Sequence, residues 1–254
     1  MRRKIPVINI FILIGVLFLS IPFVHAETAE EYLDNGNSCL NQGNFTQAIF
    51  YFIESIRINP NLAQTHYSLG LAYAQLGNFN KAVVDFTKAI KINPKFTEAY
   101  YNRGLAYGKQ ENFTQAILDF TEASKIDSNL PEVYYNFGLI YAQQGDLAKA
   151  ILNFSRATVI KPDPKLNPYL AEAYCNRGLA YIRQGNFAQA ILDYTNAIEI
   201  NYRYAEAYNN RGVAYYLLKE YNKAWSDIHR AIALGCAVDP EFLNALKKAS
   251  ARDA

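Results

Sequence analysis

The sequence predicts an all-α protein built from six stacked helical hairpins. Glycine recurs at a nearly constant interval, with gaps of 34, 34, 34, 40 and 34 residues, at Gly36, Gly70, Gly104, Gly138, Gly178 and Gly212. An alanine follows each glycine after twelve residues, from Ala48 to Ala224. Six matched pairs at one period indicate repeated structural units that stack on one another.

The units align as segments of 34 residues, numbered from position 1 to position 34 with the recurring glycine at position 8. Their bounds are 29–62, 63–96, 97–130, 131–164, 171–204 and 205–238, with an insertion at 165–170. Position 4 is tyrosine in five units, position 11 is tyrosine in five, and position 24 is phenylalanine in four. Positions 4, 7, 8 and 11 share one helical face, as do 20, 24 and 27, so each unit is predicted to form two amphipathic helices.

These residues make the chain resemble the tetratricopeptide-repeat family over residues 29–238. The resemblance implies a right-handed superhelical solenoid in which the first helix of each pair lines a concave groove. After the sixth unit, Asp239 and Pro240 have the character of an N-cap and a first-turn proline. Phe242, Leu243 and Leu246 then fall on one side of a helix. We therefore expect residues 239–254 to form a capping helix, over 240–250, and a tail.

The insertion between units 4 and 5 also contains a helix-start signal. Asn167 and Pro168 could serve as N-cap and first helical residue, which would lengthen the first helix of unit 5 by about a turn. A tolerated surface insertion, a local change in superhelix pitch and an extra contact at the groove rim all remain open.

The resemblance implies that positions 2, 5, 6, 9 and 13 of each first helix face the groove. Position 6 is asparagine in four successive units, and this candidate ladder consists of Asn102, Asn136, Asn176 and Asn210. Amide donors and acceptors at one level can hydrogen-bond the backbone of an extended peptide. The row resembles the asparagine ladder of the O-linked N-acetylglucosamine transferases, without any counterpart to their catalytic domain. Asparagines that make only local bonds are the alternative.

An aromatic and apolar strip is predicted beside the ladder. Position 5 supplies Tyr67, Tyr101 and Tyr135, and position 9 supplies Leu71, Leu105, Leu139 and Leu179. Because tyrosine is common at binding hot spots, the strip favours a protein or peptide partner. Position 2 is glutamate in every unit but the second. These glutamates either complement the helix dipoles or make the groove rim acidic.

Three units pair an arginine at position 7 with an aspartate at position 23. The expected pairs are structural and semi-buried: Arg103 with Asp119, Arg177 with Asp193, and Arg211 with Asp227. Asp85 has Leu69 at position 7 of its own unit. We therefore expect Asp85 to serve Arg103 of the next unit.

The N-terminus has the pattern of a secretory signal. Three basic residues precede an uncharged stretch from Ile5 to Val24, and the small exit residue is Ala26. The sequence thus predicts a signal peptide over 1–26, cleavage after Ala26, and a periplasmic or secreted protein. An uncleaved inner-membrane anchor is the alternative, since twenty uncharged residues can span a bilayer.

Removal of residues 1–26 leaves 22 basic and 23 acidic residues, because only Arg2, Arg3 and Lys4 are lost. Without a basic stripe, a nucleic-acid partner is excluded. The three cysteines are scattered, and no His/Cys/Asp cluster has metal-ligand spacing. We expect no enzymatic activity, no cofactor and no metal.

The predicted function is therefore an exported protein-interaction scaffold. The Asn-Arg-Gly repeats and the tail from Tyr221 to Ala254 resemble bacterial tetratricopeptide proteins. Two alternatives remain: a membrane-anchored envelope assembly factor, and a scaffold that acts through its convex face or through self-association.

Overall fold

The computed structural model of the chain describes residues 27–160 and 169–251. The predicted signal segment 1–26 and residues 165–168 of the insertion lie outside these ranges. All regular secondary structure within the described ranges is α-helical, and none of the helices there is long and apolar enough to cross a bilayer.

The helices form six consecutive pairs followed by one further helix, as the repeat predicts. The first helices of the pairs are α1 (Ala29–Asn41), α3 (Ala63–Gln75), α5 (Thr97–Lys109), α7 (Pro131–Gln143), α9 (Leu170–Arg183) and α11 (Ala205–Leu217). The second helices are α2 (Phe45–Ile58), α4 (Phe79–Ile92), α6 (Phe113–Ile126), α8 (Leu147–Ile160), α10 (Phe187–Ile200) and α12 (Tyr221–Ala233), and the final helix is α13 (Pro240–Ser250).

The turn inside each pair contains a left-handed residue, and in units 1 to 5 a side chain also caps the second helix. Gly43 has φ +77°, a conformation that glycine adopts without strain. Asn44 follows as the N-cap of α2, and its side-chain oxygen accepts a hydrogen bond from the Gln47 backbone N–H at 3.3 Å. In units 3 and 6, Glu111 and Lys219 take the left-handed position with φ of 58° and 61°.

The two helices of a pair make their closest approach at position 8. A Cβ atom placed on Gly138 would lie 2.5 Å from the ring of Phe154, and one on Gly104 would lie 2.7 Å from the ring of Phe120. The side chains at position 24 are at most 1% exposed in all six units. The glycine is therefore required because the buried side chain of the second helix occupies the space of a Cβ atom.

The pairs stack so that each second helix also packs against the first helix of the next unit, with one wider junction. Helices α6 and α7 approach each other less closely than the facing helices at the other four junctions between units do. Bulky side chains, Val133, Phe137 and Ile140, are buried at this junction, where other units carry mostly alanine or arginine. Phe137 meets Phe120 edge to face at a centroid distance of 5.8 Å, so the wider gap is filled by apolar side chains.

The three predicted arginine–aspartate pairs are present and are bidentate. Arg177 donates from Nε and Nη2 to the two carboxylate oxygens of Asp193 at 2.8 and 2.6 Å. Its Nη1 donates to Ser155 Oγ of the preceding unit at 3.1 Å. Its guanidinium lies over the ring of Tyr174, 5.2 Å from the centroid. Each such arginine therefore joins the two helices of its own unit to the unit before it.

The predicted contact between Asp85 and Arg103 is wrong. Asp85 instead lies 3.5 Å from His66 Nδ1 and 3.5 Å from Lys88 Nζ. Arg103 reaches Thr87 Oγ1 at 2.9 Å, while its other nitrogens bind Asp119. The nearby His66 replaces the position-4 tyrosine of the other units, which gives Asp85 a partner inside its own unit.

Within the described residues, the first helix of unit 5 does not gain the full extra turn that the helix-start signal allowed. Helix α9 begins at Leu170 with Tyr169 as its N-cap residue, only one residue earlier than the repeat predicts. The ring of Tyr169 stacks on that of Tyr135, with centroids 5.2 Å apart. Tyr169 thus takes the place before α9 that Phe96 has before α5.

The last pair is covered by α13. Asp239 caps this helix by accepting from the Glu241 backbone N–H at 2.9 Å. Leu246 is fully buried in a cluster with Ala224 and Ile228 of α12. The apolar face that a following unit would cover is thus covered by a single helix.

We expect Gly104→Ala and Gly108→Ala, two substitutions in α5, to have opposite effects. Alanine at position 104 should destabilise the protein by about 2 kcal/mol, because its Cβ overlaps the Phe120 ring. Nothing lies within 4 Å of a Cβ at Gly108, so alanine there should stabilise the helix by about 0.5 kcal/mol. Urea unfolding followed by circular dichroism measures both, and equal effects would contradict the close approach.

We expect Arg177→Phe to destabilise the protein by about 3 kcal/mol, because it leaves the Asp193 carboxylate buried without its partner. The double variant Arg177→Phe/Asp193→Asn copies unit 4, which carries Phe137 and Asn153 at these positions. Thermal unfolding should show that the double variant is more stable than the single one. A double variant no better than the single variant would argue against the unpaired charge as the cause.

Candidate functional site

The predicted ladder asparagines lie at one level of successive first helices and are bonded to the unit before them. Asn102 Nδ2 donates to Tyr67 Oη at 3.1 Å and to the Glu98 carbonyl at 2.8 Å. Asn136 Nδ2 donates in the same way to Tyr101 Oη at 3.2 Å and to the Glu132 carbonyl at 2.8 Å. Both amide hydrogens of each side chain are therefore used inside the protein.

These hydrogen bonds determine whether the Nδ2 or the Oδ1 atom of each asparagine is available to a ligand. A backbone carbonyl only accepts hydrogen bonds, so the amide nitrogen must face it and the oxygen must point elsewhere. No donor from the described residues reaches Oδ1 of Asn102, Asn136 or Asn176. The ladder thus offers a row of acceptors, whereas the sequence had indicated paired donors and acceptors.

The remaining two asparagines differ in detail. Asn176 Nδ2 donates to Tyr135 Oη at 3.3 Å, which continues the pattern. Asn210 Nδ2 meets Cys175 Sγ at 3.9 Å, and its Oδ1 accepts from Asn209 at 3.4 Å. The row of unoccupied carboxamide oxygens therefore ends at unit 5.

The position-5 tyrosines belong to the wall of the groove more than to its open surface. Tyr135 is 9% exposed, and its hydroxyl donates to Glu172 Oε2 at 2.8 Å. Tyr67 and Tyr101 are half-buried. Burial raises the pKa of Tyr67 to about 12, and it raises the pKa values of Tyr101 and Tyr135 as well. The phenols therefore stay neutral, so they contribute hydrogen bonds and not charge.

Sequence reasoning missed the residues that precede the first helices. Phe96 lies against Tyr67 with ring centroids 4.8 Å apart, and Tyr169 stacks on Tyr135. Tyr204 takes the corresponding place before α11, where it packs against the core cluster that contains Cys175. A signal was present in the sequence, since Phe96 and Tyr204 both occupy position 34.

The position-9 leucines form an apolar strip beside the acceptor row. Leu71 and Leu105 are half-buried against the cores of their units. Leu139 and Leu179 are each 37% exposed. The strip is therefore most accessible between units 4 and 5.

The acidic rim runs along the N-terminal ends of the first helices. No Lys or Arg of the described residues forms a salt bridge with the rim glutamates Glu98, Glu132, Glu172 and Glu206. Lys109 and Arg183 lie near the opposite ends of α5 and α9. The edge opposite the acidic rim therefore carries positive charge at units 3 and 5.

The described residues offer little for metal or thiol chemistry. No group of three or more His, Cys, Asp or Glu side chains in this part of the chain is placed to hold a metal ion. Burial raises the pKa of the Cys175 thiol to about 11. The thiol is therefore protonated at neutral pH, which makes it a poor nucleophile.

The convex face carries a second periodic surface, at position 22 of the second helices. An apolar side chain there is between 52% and 56% exposed in five successive units, and the residues are Phe50, Val84, Leu118, Leu152 and Leu192. One exposed apolar residue per unit forms a stripe on the face opposite the groove.

Family models match most of the repeated region. A "TPR repeat" model matches residues 36–77 and 70–111. A "Tetratricopeptide repeat" model matches residues 97–130 and 171–201, and another with the same description matches 131–164. No curated protein matches the chain at a significant level.

Solved structures of similar fold cover most of the chain. A chain of the APC/C hetero-tetramer Cut9-Hcn1 is 20% identical with a TM-score of 0.66, and the match covers 89% of this chain and 44% of that one. A MamA structure is 28% identical with a TM-score of 0.61, covering 71% and 95%. YrrB is 21% identical with a TM-score of 0.59, covering 72% and 92%. Together with the glycine–aromatic periodicity, the matched repeats establish that the chain belongs to the tetratricopeptide-repeat family.

Proposed function

We propose that the chain is an exported, non-enzymatic scaffold that holds another protein through an extended peptide segment laid in its groove. The family is generally a non-enzymatic scaffold fold that binds protein or peptide partners. YrrB is described as a TPR protein with an unusual peptide-binding site. The specific observation that supports peptide binding here is the row of unoccupied Oδ1 atoms on Asn102, Asn136 and Asn176.

The spacing of the acceptors suits an extended chain. Neighbouring packed helices lie about 8–10 Å apart. Helices α7 and α9 are neighbours along the groove, and α7 reaches α5 through the hydrogen bond from Asn136 to Tyr101. An extended peptide advances about 3.3 Å per residue. In a polyproline-II-like segment, which has three residues per turn and rises about 3.1 Å per residue, every third backbone N–H group faces the same side. One acceptor would therefore meet such a group at roughly every third residue, whatever the side chains are.

The rim charge narrows the ligand class. Glu98, Glu132 and Glu206 have no cationic partner among the described residues. A segment with basic or neutral residues along this edge would avoid like-charge repulsion. The exposed Leu139 and Leu179 favour apolar side chains on the facing surface of the segment.

The convex stripe supports a second candidate function. If position 22 is the working surface, a partner would contact Phe50, Leu118 and Leu192 and leave the groove idle. This alternative rests on apolar exposure alone, whereas the groove combines acceptors, an apolar strip and charge.

We expect the double variant Asn136→Ala/Asn176→Ala to bind groove peptides at least about tenfold more weakly, because two hydrogen bonds to the peptide backbone are lost. The probes are twelve-residue peptides selected by phage display on the wild-type chain, and fluorescence polarisation gives their dissociation constants. Asn222→Ala, an exposed asparagine on α12, is the matched control. Unchanged binding in the double variant would move the function to the convex face.

Export makes a separate prediction. If the signal is cleaved after Ala26, N-terminal sequencing of the protein purified from its native cells should begin at Glu27. A chain that retains Met1 and sediments with membranes would instead support the anchored assembly factor. Cross-linking and pull-down from the envelope fraction would identify the partner whether the chain is cleaved or anchored.

A further inference from the structure

Unit 4 departs from the repeat at position 17, the first residue of the second helix. This position is aromatic in the other five units: Phe45, Phe79, Phe113, Phe187 and Tyr221. Phe79 and Phe113 pack against the cores of their units. In unit 4 the residue is Leu147, which lacks the ring that fills this place elsewhere.

A cavity of about 150 Å³ lies beside Leu147, among α7, α8 and α9. Its apolar wall is formed by Leu139, Ala142, Leu147, Phe154, Leu179 and Ala180. The two groove leucines, which are the most exposed of the strip, belong to this wall. The cavity therefore opens where the groove's apolar strip is most accessible.

The neighbouring level of the groove has the space filled. Between units 3 and 4 the corresponding side chains are Phe113 and the buried Ile140, in place of Leu147 and Ala180. Two larger side chains at equivalent positions thus remove the volume that unit 4 leaves open.

The volume of the cavity limits the size of the group that it can hold. Sites for small organic ligands usually measure about 300–1,000 Å³, which is larger than this one. A volume of about 150 Å³ is enough for a group the size of benzene, and this cavity opens to the groove and is lined by Gln143, Asn176 and Arg183 beside its apolar wall. The volume therefore fits one aliphatic or phenyl side chain.

Polar groups at the cavity indicate what lies next to that side chain. Arg183 lines it from the C-terminal end of α9, and no acidic side chain of the described residues forms a salt bridge with it. Glu172, on the acidic rim, is eleven residues away on the same helix, or roughly 16 Å. Asn176, whose Oδ1 is an open acceptor, also lines the cavity. An anionic group of the ligand therefore belongs on the Arg183 side.

We infer that this cavity is a specificity subsite of the groove, which takes one leucine-sized side chain of a partner segment, next to an acidic residue that pairs with Arg183. The inference rests on the proposed peptide-binding function. The occupant is an internal part of a segment, since the groove continues past the cavity on both sides, towards Asn136 and Asn210.

The test uses small probes, so it does not depend on finding the natural partner. Acetyl-Leu-Glu-amide is titrated into the full chain with labelled methyl groups, and NMR follows the methyls of Leu139, Leu179 and Ala142. We expect acetyl-Ala-Glu-amide to bind about 30-fold more weakly, because it lacks the side-chain groups that the cavity would bury. Acetyl-Leu-Gln-amide should bind about threefold more weakly, as expected for an exposed ion pair.

Two variants locate the effect. Leu147→Phe restores the ring found in the other units, so it should remain folded while the leucine probe loses its advantage over the alanine probe. Arg183→Gln should remove the difference between the Glu and Gln probes and keep the preference for leucine. Acetyl-leucine, whose only carboxylate is terminal, distinguishes a chain end from an internal acidic residue, and its tighter binding would overturn the internal assignment.

The failure of this inference is separate from that of the proposed function. Absence of methyl shifts with acetyl-Leu-Glu-amide, or equal shifts in wild type and Leu147→Phe, overturns the subsite. The phage-selected peptides and the Asn136→Ala/Asn176→Ala variant still report on the groove. If those peptides bind the groove but ignore Leu147→Phe, the groove function stands without the subsite.

Discussion

The close contact between the glycine of each first helix and the buried side chain of its second helix determines the geometry of the whole structure. At position 8 of each unit there is no side chain, and the ring or branched chain at position 24 occupies the space. This contact sets the distance between the two helices of every hairpin. Because the hairpin cannot bury its other apolar face alone, its geometry also sets how the next unit docks. The same contact therefore also determines the spacing of the asparagine acceptors and of the apolar leucine strip along the groove.

Register between units depends on a smaller set of polar contacts. Arg103, Arg177 and Arg211 each bind an aspartate of their own unit and a hydroxyl of the unit before. Such contacts have directional geometry, whereas the apolar contacts around them do not. Unit 4 has Phe137 instead of arginine, and its junction with unit 3 is the wider one.

Much of the fold and part of the site could be predicted from the sequence. The glycine and aromatic periods predict the pairs, and the covariation of positions 7 and 23 predicts Arg177 with Asp193, since both features repeat in register. The partner of Asp85 could not be predicted, because it depends on His66, a single departure from the repeat. The bonding of the Asn102 amide was also inaccessible, since it involves Tyr67 of another unit. The features that repeat in every unit could therefore be predicted from the sequence, whereas individual side-chain contacts between units could not.

The departures from the repeat are also where the chain acquires individual chemistry. A position that every unit shares serves packing, so it cannot distinguish one ligand from another. Leu147 at position 17 and Arg183 at position 13 each occur in one unit only, and both line the cavity between units 4 and 5. The shared asparagines can hold any extended backbone through their open oxygens. Selectivity for one partner must then come from the residues that the units do not share, because only these residues make the groove surface of one unit different from that of the next.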